Sequence, residues 1–188
     1  ANFVLADEIN RAPAKVQSAL LEVMAERQVT IGGVSTKLAL PFMVLATQNP
    51  IEQEGVYLLP EAQRDRFLMR VPVDYPTLAE EHEIARRSSM PSRAPQQVLS
   101  LDELVALQLQ ANALPVPDAV QDYAVRLVMA TRNPREFGFD SLDGWLSFGA
   151  SPRATIGLLA AGRGLALMRK HSVVQVQDIY DIAYDVLN

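Results

Sequence analysis

The amino-acid sequence predicts an α/β region followed by an all-helical region. Two short apolar runs, Phe3–Ala6 and residues 42–46, lead directly into polar residues, which is typical of buried parallel strands that end at the rim of a sheet. Helical spacing and a β-hairpin pattern lie between these runs, and from Thr77 onwards the patterns are helical. We therefore predict two domains, residues 1–76 with mixed structure and residues 77–188 with helices.

The composition excludes several classes of protein. The chain has 188 residues, of which 49% are hydrophobic and 21% charged, a balance that is usual for a globular protein. Its net charge of −5 argues against a nucleic-acid or anionic-membrane partner. The absence of cysteine excludes a disulfide scaffold and a thiolate metal site, and it favours a reducing, cytoplasmic location. No apolar run approaches the roughly 18–20 residues that a membrane span needs.

A helix and a hairpin are predicted after the first strand. Residues 11–27 have helical spacing, with Pro13 in the first turn, where its missing N–H is no loss. One apolar stripe of this helix consists of Val16, Ala19, Leu20, Val23 and Met24. Alternating β-formers around Gly32-Gly33 predict a hairpin with a primed turn over residues 28–38. Its small, exposed tip is either structural or a contact for a partner or substrate.

The remaining predicted elements of the first half are short. A helix that begins at Pro60 covers residues 60–67. Arg64 and Arg66 lie about 200° apart on such a helix, so only one of them can face a given site. Residues 67–73 are predicted to form a third strand.

Five helices are predicted in the second half. They cover residues 77–87, 100–111, 117–132, 151–170 and 176–187. Thr77 and Ser100 each stand three residues before a glutamate, which is the spacing of a capping box at a helix N-terminus. This half is therefore expected to be a helical domain.

Polar side chains follow both apolar runs. Asp7 and Glu8 come directly after the first run and Asn49 follows the second, so parallel strands bring all three to the rim where open α/β sheets bind ligands. In nucleotide triphosphatases one acid there holds Mg²⁺ and the next polarises the water that attacks the γ-phosphate. An amide there orients a water or a phosphate oxygen. The other interpretations are a solvated turn after the first strand and a turn that Asn49 shapes before Pro50.

Arg153 breaks a local rule of helix formation. It follows Ser151 and Pro152 in the first turn of a predicted helix, where a cation opposes the helix dipole by roughly 0.3–1 kcal/mol. Residues that break local rules are expected at functional sites, and a helix N-terminus offers free N–H groups to anions. Arg153 is therefore a candidate phosphate sensor, and the alternative is a solvated surface arginine.

Four segments, in order, resemble the MoxR family of AAA+ ATPases. They are residues 4–13 with 17–22 (the Walker B region and the following helix), residues 46–55 (sensor 1), residues 60–63 with 65–67 (the arginine-finger helix) and residues 149–154 (sensor 2). An apolar run followed by Asp-Glu is a weak signal by itself, whereas four ordered motifs are highly specific. The resemblance implies that residues 1–76 are the C-terminal part of an AAA+ core and residues 77–188 its helical lid.

The resemblance also implies a role for each matching position. Asp7 would bind Mg²⁺, Glu8 would be the catalytic base, Asn49 would position the attacking water, Arg66 would be the arginine finger for a neighbouring subunit, and Arg153 would sense the nucleotide. The hairpin at residues 28–38 resembles the pre-sensor 1 hairpin, which lies near the central pore in related rings. Position 64 is usually apolar in the family, so Arg64 is a departure whose role stays open.

One motif of a complete ATPase is missing from these residues. The sequence contains no Gly-x-x-x-x-Gly-Lys-Ser/Thr, the P-loop that cradles the phosphates. We therefore expect a fragment that is inactive alone, from a parent that uses ATP and Mg²⁺. The resemblance implies a hexameric ring that remodels client proteins or inserts metal cofactors, with von Willebrand factor A-domain proteins as partners. The alternatives are a non-catalytic helical adaptor with degenerate motifs and a magnesium-chelatase-like or DNA-linked AAA+ subunit.

Overall fold

The structure, a computed structural model, describes residues 2–49, 57, 59–91, 94–142 and 144–187. The strands are β1 (Phe3–Ala6), β2 (Gln28–Ile31), β3 (Val34–Lys37) and β4 (Met43–Ala46). The α-helices are α1 (Ala14–Glu26), α2 (Glu61–Arg64), α3 (Leu78–Ser88), α4 (Leu101–Ala113), α5 (Asp118–Arg132), α6 (Pro152–Met168) and α7 (Val176–Leu187). Short 3-10 turns cover Ile9–Arg11, Pro134–Phe137 and Asp140–Leu142. The predicted fold class, a small parallel sheet with helices and a hairpin followed by an all-helical region, is confirmed.

The parallel sheet has β1 beside β4. Its register runs from the pair Phe3 and Met43 to the pair Ala6 and Ala46, so both strands end at the same edge. The prediction that β1 is buried on both faces is wrong, because Leu5 is 66% exposed. Successive side chains point to opposite faces of a sheet, and in the described part of the chain only the face of Val4 and Ala6 is partly covered.

Helix α1 begins after Pro13 and ends where Arg27 adopts a left-handed conformation, with φ 51°. Its predicted apolar stripe is only partly correct, since Val16 is 53% exposed. The buried residues of α1 are instead Gln17 and Leu21. This difference arises because the Gln17 amide binds backbone carbonyls of neighbouring segments, as described below, and this turns its face of the helix inward.

The predicted hairpin is confirmed. Strands β2 and β3 pair antiparallel, with Ile31 opposite Val34. Gly32 and Gly33 both have positive φ, 59° and 81°, which is the requirement of a type I′ turn. Glycine adopts this conformation without the steric penalty that a side chain would add.

The segment after α2 differs from its prediction. The predicted helix over residues 60–67 is shortened to the four residues of α2, and the predicted strand over residues 67–73 is not formed. The reason is that this segment contacts the helical region: the Arg70 N–H donates to the Asp185 carbonyl at 2.7 Å. A Cβ on Gly157 of α6 would lie only 3.3 Å from Leu68 Cδ1, so the segment packs on α6 rather than on a strand.

The main apolar core lies among α5, α6 and α7. Its buried members are Val120, Ala124, Val128, Leu158, Ala166, Val174 and Ile179. The capping boxes predicted at Thr77 and Ser100 are both formed, since each side chain accepts from the glutamate N–H three residues on and that glutamate accepts from the cap N–H. Among the described residues, no helix combines the length and apolar character that a bilayer crossing requires.

Candidate active site

Parallel pairing continues past the ends of β1 and β4. The Thr47 N–H donates to the Ala6 carbonyl at 3.0 Å, and the Ile9 N–H donates to the Thr47 carbonyl at 3.0 Å. These bonds hold the two strand ends side by side, with Asp7 and Glu8 between the bonded positions. The rim that the sequence predicts is therefore present, and it is built from backbone hydrogen bonds.

The Thr47 hydroxyl links both acidic residues. It donates to Asp7 Oδ1 at 2.5 Å and accepts from the Glu8 N–H at 2.9 Å. The Asp7 side chain is exposed, and among the described residues Thr47 is the hydrogen-bond partner of its carboxylate. The second carboxylate oxygen of Asp7 is therefore open to a ligand from solvent.

Glu8 has an unusual backbone conformation. Its φ of 48° and ψ of 52° lie in the left-handed region, which residues other than glycine seldom adopt. Its carboxylate forms an ion pair with Arg11 Nε at 3.1 Å, and both side chains are partly exposed. Exposed ion pairs contribute little to stability, so Glu8 can leave Arg11 for another partner at small energetic cost.

Asn49 lies beside the loop that follows β1. Its carbonyl accepts from Asn10 Nδ2 at 3.1 Å, as expected when parallel strands end at one edge. Asn10 is buried, and among the described residues its Oδ1 has no hydrogen-bond partner. The residues 50–55 of the predicted sensor 1 segment lie outside the described part of the chain.

Gln17 connects this loop to a more distant segment. Its Nε2 donates to the Ile9 carbonyl at 3.2 Å and to the Tyr57 carbonyl at 3.1 Å. The Tyr57 N–H in turn donates to the Asn10 carbonyl at 2.6 Å. Because the Gln17 side chain is buried, its bond to Ile9 is shielded from water. Together these bonds fix the loop after β1 against α1.

Arg66 lies in the turn after α2, not on the helix. Its N–H donates to the Gln63 carbonyl at 3.2 Å. The argument that a helix turns Arg64 away from Arg66 therefore does not apply, because α2 ends at Arg64. Both arginine side chains are exposed.

Arg153 contacts the residue that precedes Arg66. Its guanidinium forms an ion pair with Asp65 Oδ2 at 3.0 Å, and the Ser151 hydroxyl donates to Asp65 Oδ1 at 2.5 Å. Ser151 Oγ also accepts from the Arg153 N–H at 3.1 Å, which caps α6. Arg153 therefore has a compensating anion, which comes from a distant part of the sequence. Among the described residues, the ion pair of its side chain is with Asp65 rather than with Asp7 or Glu8.

Comparisons with known proteins agree with this arrangement. Residues 1–69 match the ATPase family associated with various cellular activities (AAA), and residues 145–188 match the AAA lid domain. The chain is 54% identical over 187 residues to chaperone MoxR1 of Mycobacterium tuberculosis, covering 100% of this chain and 50% of that protein. The chain belongs to the MoxR family of AAA+ ATPases.

Two further similarities extend along the chain. A Bacillus subtilis protein, YeaC, is 39% identical over 184 residues, which are 97% of this chain and 55% of YeaC. A solved protein from Cytophaga hutchinsonii superposes with a TM-score of 0.93 at 44% identity, over 100% of this chain and 57% of that one. The MoxR-family chain thus spans about half the length of the curated relatives that it matches.

The donors at the rim suit Mg²⁺ bound together with a nucleotide. In the described part of the chain, no group of three or more His, Cys, Asp or Glu side chains could hold a metal ion by itself. Mg²⁺ instead commonly takes one or two carboxylates, with waters and substrate phosphates as its other ligands. Asp7, an exposed carboxylate with one oxygen held by Thr47, fits this use.

Several residues that build this MoxR-family site were not singled out by sequence reasoning. They are Thr47, Gln17, Arg11 and Asp65, whose contacts are given above. For Thr47 a signal existed: it directly follows the second apolar run, as Asp7 follows the first. The structure sets Ala6 opposite Ala46, so Asp7 and Thr47 become neighbours. For Asp65 no local signal existed, because its partners lie 86 and 88 residues further along the chain.

Proposed function

We propose that this chain carries the hydrolytic residues and the lid of an ATP-hydrolysing, ring-forming AAA+ protein. The observation that supports it most is the parallel pairing of β1 and β4, which holds Asp7, Glu8 and Thr47 within hydrogen-bonding contact at one rim. Membership of the MoxR family adds the expectation of nucleotide chemistry. In this proposal residues 1–76 belong to the ATPase core and residues 77–188 form the lid.

The residues at the rim divide the work of hydrolysis. Asp7 holds Mg²⁺, which when bound neutralises charge on the phosphates. Glu8 accepts the proton of the attacking water after leaving Arg11, and the weak, exposed ion pair between them supports this exchange. The Asn49 side chain orients the same water.

Two arginines complete the proposed reaction centre. Arg66 reaches the γ-phosphate bound by a neighbouring subunit, and its exposed side chain supports this role. Arg153 leaves Asp65 and turns to the phosphates of its own subunit. Because the Arg153 side chain is 58% exposed, solvent screens its pair with Asp65 and the exchange is inexpensive.

The proposal assigns phosphate binding to residues outside this sequence. The 188 residues contain no P-loop motif, and without its backbone cradle and lysine the phosphates are not held for Glu8. We infer that this chain by itself does not hydrolyse ATP. We further propose that the whole protein uses ATP to remodel or mature client proteins, with von Willebrand factor A-domain partners. Its ring size, clients and cytoplasmic location stay predictions.

The test is the substitution Glu8→Gln in the full-length protein. Glutamine keeps the size of the side chain but cannot accept the proton, so ATP turnover should be abolished while ATP binding remains. Glu81→Gln is the matched control, because it makes the same chemical change at an exposed residue of α3 that lies far from Glu8 in the sequence. ATP turnover by this variant should equal that of the wild type. The measurements are kcat and ATP affinity. An unchanged kcat in Glu8→Gln would refute the assignment of Glu8 as the catalytic base.

A further inference from the structure

The Thr47 side chain connects the end of β4 to the two acidic residues that follow β1. Its single hydroxyl makes two hydrogen bonds in opposite senses, donating to Asp7 Oδ1 at 2.5 Å and accepting from the Glu8 N–H at 2.9 Å. Its backbone is fixed by bonds to Ala6 and Ile9 at 3.0 Å. The backbone bonds therefore hold the Thr47 hydroxyl in a fixed position beside Asp7 and Glu8.

Each of these bonds constrains a different property of the acidic pair. The bond to Oδ1 limits rotation of the Asp7 carboxylate and leaves Oδ2 without a hydrogen bond from the described residues. The bond from the Glu8 N–H satisfies a donor in a residue whose φ of 48° is seldom adopted outside glycine. Such conformations persist only where the surroundings determine them, and at this position the surroundings include the Thr47 hydroxyl.

We propose that Thr47 is a positioning residue that orients the Asp7 carboxylate for Mg²⁺ and holds Glu8 in its left-handed conformation for water activation. This inference rests on the proposed function. Thr47 does not touch the nucleotide in this role: it acts through Asp7 and Glu8, as residues behind a metal ligand do when they fix its orientation. Simple strand pairing does not need the hydroxyl, because the backbone of Thr47 supplies the pairing bonds.

The test compares Thr47→Val, which removes the hydroxyl at nearly constant shape, with Thr47→Ser, which keeps it. ADP binding to the full-length protein is measured by calorimetry with Mg²⁺ and with EDTA, so that one readout does not depend on turnover. For Thr47→Val the gain in ADP affinity on adding Mg²⁺ should fall about tenfold or more, as for other residues that orient a metal ligand. For Thr47→Val the ADP affinity in EDTA should equal that of the wild type, and kcat for ATP hydrolysis should fall. Thr47→Ser should keep both the Mg²⁺-dependent gain in ADP affinity and kcat at wild-type values.

Thr36→Val is the matched control, because it makes the same chemical change at an exposed position of β3. Wild-type values in Thr47→Val for both the Mg²⁺ effect and kcat overturn the inference while leaving the proposed function intact. A wild-type protein that does not hydrolyse ATP instead overturns the proposed function. Thermal unfolding is followed in parallel, with Thr47→Ala as a second variant. Unfolding of both Thr47→Val and Thr47→Ala overturns the inference, because the hydroxyl is then needed for the fold rather than for positioning.

Discussion

At the scale of single residues, the site is built from side chains that each satisfy two partners. Thr47 Oγ1 joins Asp7 to Glu8, and Gln17 Nε2 joins Ile9 to Tyr57. Asp65 likewise accepts from both Ser151 and Arg153. Bridges of this kind fix the position of a loop with few side chains, since each hydrogen bond restricts a different segment.

The arginine assignment is testable at this scale. Arg66→Ala in the full-length protein should lower kcat roughly 10³-fold if Arg66 is the finger, whereas Arg64→Ala should change it little. ATPase assays of each variant measure this difference. A large loss in Arg64→Ala with none in Arg66→Ala would transfer the role to Arg64.

Mixed assemblies test whether the arginine acts across an interface. Subunits with Arg66→Ala keep Glu8, and subunits with Glu8→Gln keep Arg66, so a mixed ring contains some complete sites. Mixing the two inactive variants should therefore restore ATPase activity. An arginine that acts only within its own subunit predicts no recovery on mixing.

At the scale of elements, the N-terminus of α6 is fixed by the end of α5. Arg132 Nε donates to the Ala150 carbonyl at 2.7 Å, and the Ala150 N–H donates to Thr131 Oγ1 at 2.9 Å. The backbone at Gly149 passes so close to α5 that a Cβ there would lie 2.7 Å from Arg132 Cα. Close packing against α5 therefore explains why the predicted sensor 2 motif has a glycine at position 149. This packing also sets the position of the α6 N-terminus, from which Arg153 extends.

Gly149→Ala should destabilise the protein by about 1–3 kcal/mol, the usual effect of overpacking, because backbone atoms must move apart to admit the methyl group. Gly164→Ala is the control: it lies within α6, and a Cβ there meets no atom within 4 Å. That change should stabilise the helix by about 0.5–1 kcal/mol. Urea unfolding measures the free energy of unfolding of both variants. Equal values for Gly149→Ala and Gly164→Ala would contradict the packing argument.

At the scale of the whole molecule, a buried carboxylate links the end of α6 to the start of α7 within the helical region. Asp178 is fully buried. Its Oδ2 accepts from the Gln175 N–H at 2.9 Å and lies 3.0 Å from His171 Nδ1, and its Oδ1 accepts from Arg169 at 3.1 Å. Burial by itself raises the pKa of Asp178, but the bonds from Gln175, His171 and Arg169 outweigh it, so the pKa lies below its ordinary value.

This pKa shift predicts how stability depends on pH. A lowered pKa in the folded state stabilises the protein above the ordinary carboxyl pKa of about 3.9, and this contribution is lost as the pH falls through the lower, folded-state pKa. Asp178→Asn should therefore lower the free energy of unfolding at pH 7 by about 1.5–3 kcal/mol and flatten the loss of stability in acid. Unfolding curves from pH 7 to pH 3 test this, with the exposed Asp122 changed to Asn as control. An unchanged acid slope in Asp178→Asn would contradict it.

Local sequence determined most of the secondary structure of this protein. Thr77 and Ser100 begin helices with the capping boxes that their spacing predicts, and Gly32-Gly33 turns the hairpin as predicted. Such features depend on residues within a few positions of one another, so the local chain is enough to specify them. The order of apolar runs and acidic residues likewise predicted one rim with Asp7 and Glu8, because parallel strands end together.

Tertiary structure alone decided the contacts between distant segments. Residues 67–73 have the composition of a strand, but the Asp185 carbonyl takes the hydrogen bond of Arg70 and Leu68 packs on α6. Arg153 looks uncompensated in the sequence, yet Asp65 pairs with it. The sequence likewise could not predict that Gln17 is buried and Val16 exposed, because this depends on where the Ile9 and Tyr57 carbonyls lie in the folded chain. In each case the partner is far away in the chain, and only folding makes it a neighbour.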